Sequence, residues 1–260
     1  MTNSAKNQET IPTEKFSSGT YANRLLGIPD SGLPAKGFRF VQSEQIQTAL
    51  KNWNRVAIDD LSAIKRSFQD LVPDCYMPKK FGCRNRRFGE YRLSQTTGEF
   101  LSTDQLQHIR KPSKNRLNAC KARTFCALQE TVRDSLFTRA LVEVVVGYID
   151  DPCREWSINI HQFRVDASQG LAHASPNGMH QDGNDYVAII SMGRENSIGG
   201  MNQISSKRGR LLFRQTMAND LDCLVLDDRK VLHGVTPILP KFRGAAYSDS
   251  FVIDFNRIDK

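Results

Sequence analysis

The chain has 260 residues, 36 Lys and Arg against 28 Asp and Glu, a formal charge of +8, and 39% hydrophobic residues. That balance supports a real core and excludes a largely disordered or collagen-like chain, and no apolar run approaches the ~18 residues of a membrane span. The six cysteines (Cys75, Cys83, Cys120, Cys126, Cys153 and Cys223) form no CxxC pair, which argues against a zinc ribbon or a disulfide scaffold and for reduced thiols.

Residues 1–18 are polar and irregular and predict a disordered tail, since their few apolar side chains cannot offset the entropy of ordering them. The start also lacks the apolar stretch of a secretory signal, so a soluble cytoplasmic protein with no membrane partner is expected. Residues 19–260 are expected to form a single domain, with helical support over about 40–150 and a β core over about 157–257. Ser43–Trp53 opens on a serine N-cap and places Ile46, Leu50 and Trp53 at helical spacing; Ile58–Leu71 repeats the pattern with Leu61, Ile64, Phe68 and Leu71. Pro73 and Pro78 end this second helix, and Cys83–Leu93 then interleaves basic and aromatic residues. A third helical region, about Phe125–Val146, is expected to turn β-like at its valine-rich end. Beyond Asp151 come short β-rich runs: Ser157–Val165, Tyr186–Met192, Gln203–Ser205, Arg210–Arg214, Cys223–Asp227 and Tyr247–Asn256. Strands without intervening helices predict an antiparallel sandwich or jelly roll, buttressed by the preceding helices.

Divided at Trp156, 24 cations face 17 anions in the first part and 12 face 11 in the second. The excess is therefore amino-terminal, concentrated in Lys79–Arg92 and Arg110–Arg123, which carry six cations each. Such runs read either as solvated faces or as a surface for phosphate.

Within the β-rich part, His180 and Asp182 stand two apart in Asn177-Gly178-Met179-His180-Gln181-Asp182-Gly183. On a strand that spacing turns both side chains to one face, where an imidazole and a carboxylate can share a metal ion. A second histidine, His233, follows Asp227-Asp228 near the end of a later strand. Two imidazoles and one carboxylate make the facial triad of non-haem iron(II) oxygenases, which leaves open positions on the metal. On spacing alone, a surface His–Asp pair with an unrelated core histidine, or a hydrolytic zinc site, fits as well; no HExxH helix is present to favour zinc.

Several stretches together are more specific: RNRRFGEY (84–91), IHQFRV (160–165), MHQDGNDYVAII (179–190), RENSIGGMNQ (194–203), HGVTPI (233–238) and DSFVIDF (249–255). In order and spacing, over about residues 70–257, they resemble the bacterial iron(II)- and 2-oxoglutarate-dependent dioxygenases that hydroxylate free amino acids, of the isoleucine 4-hydroxylase type. The resemblance implies a mainly β fold with flanking helices, a distorted double-stranded β-helix of the cupin-like jelly-roll kind. It implies iron ligation by His180, Asp182 and His233, with 2-oxoglutarate and O2 as co-reactants. It also implies hydroxylation of a small amino acid or amino-acid derivative at an unactivated C–H, with release of succinate and CO2. Related halogenases replace the carboxylate of the triad, so Asp182 speaks for hydroxylation.

The family usually places an arginine fifteen residues after the distal histidine, where it pairs with the far carboxylate of 2-oxoglutarate. Here that position is Ser248, and Arg243 is the replacement that the sequence offers. Arg84 and Arg86 alternate on the arginine-rich segment, beside Arg87, and are candidates to face the barrel mouth and a carboxylate. Gln162 and Arg164 alternate on the strand before the triad, and Asn184 and Asp185 follow it; all four are candidate substrate contacts. His161 and His173 read as structural or surface histidines. The competing reading is a nucleic-acid-binding or regulatory protein with a vestigial metal site, or a dioxygenase acting on a nucleic-acid or carrier-bound substrate. The near-neutral β half argues for a small molecule rather than nucleic acid as partner.

Overall fold

The computed structural model of the chain describes residues 26–28, 33, 35–103, 107–109, 122–175 and 178–258. The expected tail and most of the basic run 110–123 lie outside them. In chain order the elements are β1 (Phe38–Val41), α1 (Ser43–Trp53), α2 (Arg55–Asp59), α3 (Leu61–Ser67), β2 (Val72–Pro73), β3 (Cys83–Ser94), β4 (Phe100–Thr103), β5 (Gln107–Ile109) and β6 (Ala122–Thr124). They continue through α4 (Glu130–Arg133), α5 (Leu136–Ile149), β7 (Glu155–Asp166), β8 (Tyr186–Glu195), β9 (Ser197–Gly199), β10 (Met201–Ser206) and β11 (Leu211–Thr216). The last are β12 (Cys223–Asp227), β13 (Val231–Val235), β14 (Ile238–Pro240) and β15 (Tyr247–Arg257).

The large sheet runs β1-β12-β8-β15-β7-β3-β2, with β4 also paired to β3. Opposite it lie a three-stranded sheet, β11-β10-β13, and the pair β14-β9. This is the mainly β jelly roll with flanking helices that the sequence implies. Alternation along the strands gives the large sheet two faces. Trp156, Ile158 and Ile160 of β7, Ala188, Ile190 and Met192 of β8, and Phe251, Ile253 and Phe255 of β15 join the helices in the main core. The opposite face lines the barrel. Phe38, Val187, Ile189, Ile204, Leu224, Leu226 and Val231 form one apolar cluster there, and Val165, Ala167, Ala172, Ile238 and Ala246 form a second.

Helix α1 has the expected bounds, but Ser43 is its first helical residue and Gln42, not the serine, is the N-cap. The second helix is broken into α2, α3 and a 3-10 turn, Phe68–Asp70, though Ile64 and Phe68 still reach the core. The valine run does not turn to strand. Ser135 caps α5 by accepting from the Thr138 N–H at 3.1 Å, and ten of its fourteen residues are buried. Burial around most of its circumference, not intrinsic propensity, keeps Val144–Val146 helical. The five cysteines among the described residues carry no disulfide, and no helix among those residues is long and apolar enough to cross a membrane.

Candidate active site

The His180–Asp182 segment is not a strand. His180 makes a lone antiparallel bridge to His233, each N–H donating to the other's carbonyl at 2.9 Å. The chain then bends away through Gly183, whose φ of 95° suits glycine. What bends it is Asp228, which is fully buried. Its carboxylate accepts from the N–H groups of Asp182 (3.2 Å), Gly183 (2.7 Å) and Asn184 (3.2 Å). Gln181 Nε2 donates to the Asp228 carbonyl. A carboxylate gathering successive backbone N–H groups fixes a loop as firmly as a strand would. His180 and Asp182 therefore meet by a different route from the one their spacing predicts.

Both imidazoles are oriented. His180 Nδ1 lies 2.8 Å from the Gly178 carbonyl, and His233 Nδ1 lies 3.5 Å from Asp228 Oδ1, which leaves both Nε2 atoms toward Asp182. The separations are 3.5 Å from His180 Nε2 to Asp182 Oδ1 and 3.3 Å from His233 Nε2 to Asp182 Oδ2. One donor atom from each residue lies within 4.8 Å of those of the other two, a spacing that suits bonds of about 2 Å to one first-row ion. Gly234 permits the approach: a Cβ there would stand 2.8 Å from the Gly178 carbonyl oxygen. Burial lowers the His233 pKa, but Asp182 and Asp228 overcome it and hold the ring up to about 10. A buried histidine between two carboxylates marks a place built for positive charge. A divalent ion fits it, with the imidazoles as neutral ligands and the Nδ1 contacts as the outer support such ligands need.

The triad opens into a cavity of about 710 Å³, counting the space open to solvent, lined also by Arg84, His161, Phe163, Val165, Ala174, Ile189, Val252 and Asp254. Alternation explains which residues arrive. On β7 the inward residues are His161, Phe163 and Val165, so Gln162 and Arg164 point the other way. Gln162 donates to Ser67 Oγ at 2.7 Å, and Arg164 forms a bidentate pair with Asp249 at 2.7 and 2.6 Å. Asn184 accepts from Asn256, and Asp185 pairs with Arg257 at 3.0 Å and Arg229 at 3.5 Å; these tie the loop to the end of β15 rather than line the cavity. His173 packs edge-on against Phe81 at 5.3 Å. Arg243 is exposed in the loop before β15.

Within the basic run Lys79–Arg92, Lys80 and Arg92 are exposed, but Arg84, Arg86 and Arg87 are not a solvated face. Arg84 donates to Asp74 through Nε (3.0 Å) and Nη2 (2.6 Å), and buried Arg86 lies 3.8 Å from the same carboxylate. Arg86 stands over the Phe125 ring at 3.5 Å, and Arg87 donates to the carbonyls of Asp70 and Ala127. Of these arginines, Arg84 lines the cavity.

His161 sits in the cavity wall rather than outside it. Its Nδ1 is 2.5 Å from Arg86 Nη2, and its Nε2 is 3.1 Å from Asp254 Oδ2. A guanidinium can only donate, so Nδ1 accepts and Nε2–H donates to Asp254. Asp254 is itself 2% exposed. Its inward direction follows from strand parity, a signal available once β15 is paired correctly with β7 and β8.

Residues 65–254, well over half of the chain, match the model of the 2OG-Fe dioxygenase family. The chain belongs to that family. Among solved structures, a BsmA homologue from Methylobium petroleophilum PM1 superimposes with a TM-score of 0.75 at 27% identity, over 86% of this chain and 90% of that one. IDO from Bacillus thuringiensis gives 0.66 at 18% identity over 86% and 95%. The Fe(II)/α-ketoglutarate-dependent dioxygenase TqaL gives 0.63 at 18% over 86% and 83%. The latter two likenesses speak for the fold. No curated protein matches the chain. As a 2OG-Fe dioxygenase, the protein uses iron(II) and 2-oxoglutarate with O2, and His180, Asp182 and His233 are its facial triad.

Proposed function

We propose that this 2OG-Fe dioxygenase hydroxylates a small amino acid or amino-acid derivative at an unactivated C–H bond. Asp254 carries the reading: a buried carboxylate on the wall of the cavity that holds the triad, where a substrate ammonium would find its counter-charge. Beside it the wall is apolar, with Val252, Ile189, Phe163 and Val235 suited to an alkyl side chain. The bound iron and 2-oxoglutarate supply the oxidising chemistry, with succinate and CO2 as products. The chain's own residues place the substrate. His161 holds Asp254 from one side, and Arg86 fixes the tautomer of His161, so the carboxylate is set before the ligand arrives and little reorganisation opposes binding.

Succinate release screened across free amino acids, their N-acetyl forms and the matching deaminated acids tests this reading. The expected result is stimulation by an amine-bearing compound and none by its N-acetyl partner. Asp254→Asn is expected to lower kcat/KM for that amine by on the order of ten- to a hundredfold, the value of a hydrogen bond to a charged group, while 2-oxoglutarate affinity stays constant. Equal stimulation by acetylated and free forms would remove the role given to Asp254.

A further inference from the structure

Ser248 leaves the usual anchor for the far carboxylate of 2-oxoglutarate without a guanidinium. The sheet supplies one from the next strand. Cross-strand pairing places Arg84, Val165, Ser248 and Arg194 in one row across β3, β7, β15 and β8.

Simple alternation would turn Arg194 to the helices, because Val187, Ile189 and Ser191 are the barrel-facing residues of β8 and Arg194 is three beyond Ser191. The pairing shifts between Asp249 and Ser250: Ser250 opposes Ser191, whereas Asp249 opposes Gly193, so Met192 is an extra residue. This bulge reverses the parity of the strand end, as bulges near binding sites do. Arg194 thus shares the barrel face with Ser248. Both line a cavity of about 420 Å³ that shares Val165, Ala174, Ile189, Val235 and Ser250 with the cavity of the triad.

The guanidinium is held from behind. Arg194 Nη2 donates to the carbonyls of Gly199 (3.0 Å) and Ser197 (3.4 Å). A Cβ at residue 200 would come within 2.8 Å of Nη1, and Gly200 has φ +63°, so glycine is what leaves the guanidinium its place. The other arginines of the row and its neighbour are already paired, Arg84 with Asp74 and Arg164 with Asp249. Among the described residues Arg194 has no carboxylate within ion-pair distance, and burial alone draws its pKa down. A half-buried guanidinium fixed by neutral carbonyls, aimed into a cavity continuous with a metal site, lacks only an anion.

We infer that Arg194 binds the distal carboxylate of 2-oxoglutarate, taking from the adjacent strand the role of an arginine at position 248. This rests on the iron- and 2-oxoglutarate-dependent reading of the site.

The test is anaerobic titration of the Fe(II)-loaded protein with 2-oxoglutarate and with 2-oxobutanoate, followed by the visible charge-transfer band. The second acid has the same chelating end and no distal carboxylate. Arg194→Met is expected to weaken 2-oxoglutarate by on the order of ten- to a hundredfold and leave 2-oxobutanoate unchanged, so the preference between them collapses. Arg194→Lys, a point charge without the fork, is expected to fall between; it decides the matter if the methionine variant does not fold. Undiminished preference in the variants would overturn the assignment, as would loss of preference in Arg243→Ala but not in Arg194→Met. A wild-type protein that gives a band with neither acid would instead defeat the dioxygenase reading on which the assignment rests.

Discussion

Asp182→Ala is expected to cost the protein its iron and, with it, succinate release. The carboxylate is the group to which both imidazoles turn, at 3.5 and 3.3 Å, and two histidines alone hold a divalent ion poorly. Metal participation is worth several kcal/mol of barrier, so the rate should fall on the order of a thousandfold or more. The variant should stay folded, because the 182–184 turn is held through backbone N–H groups on Asp228, not through the Asp182 side chain. Metal content after gel filtration and succinate release are the two readouts. Stoichiometric iron retained by Asp182→Ala together with undiminished succinate release would show that the ion sits elsewhere.

The largest stability effect is expected at Asp74, outside the metal site. Its buried carboxylate serves two guanidinium groups, Arg84 at 2.6 Å and Arg86 at 3.8 Å, and also accepts from the Tyr76 N–H at 3.0 Å. Removing it takes a buried carboxylate away from two guanidinium groups in the sheet, one of them only 4% exposed. Breaking a buried pair in this way costs about 3–5 kcal/mol, and here the barrel-facing ends of β3 should loosen too. Asp74→Ala should therefore show a lower denaturation midpoint, and Asp74→Asn an intermediate one. Burial raises the Asp74 pKa, but Arg84 and Arg86 outweigh it and hold the carboxyl below its usual 3.8. The stability it contributes is thus fully present above pH 3.8 and is lost as pH falls through the lower folded-state value. Acid unfolding of the wild type should be steep below pH 3.8, and that step should be missing from Asp74→Asn.

Much of this was legible in the residues themselves. The β-rich runs after Asp151 followed from alternation, and the ligand set His180, Asp182 and His233 from the resemblance to the dioxygenases, since spacing alone fitted a surface pair or a zinc site as well and the segment is not a strand. What escaped was set by pairing at a distance. Gln162 and Arg164 share a strand face, yet the face that meets the cavity is that of His161, Phe163 and Val165, and only the partners β3 and β15 decide which face is inward. Arg194 was hidden by a one-residue bulge, which inverts every expectation from alternation beyond it. Asp228 could be seen as part of an Asp-Asp pair ahead of His233, but its work on three N–H groups more than forty residues earlier belongs to the fold. The valine run of α5 misled for the opposite reason, since burial in the main core overrode local β preference.

The most direct measurement is anaerobic addition of Fe(II) and then 2-oxoglutarate to the wild-type protein, recording the visible spectrum. Chelation of the 2-oxo acid on a triad-bound ion is expected to give a charge-transfer band that saturates at one equivalent per chain and is absent from Asp182→Ala. A folded protein that binds iron at one equivalent yet shows no band at saturating 2-oxoglutarate would contradict the assignment of the site.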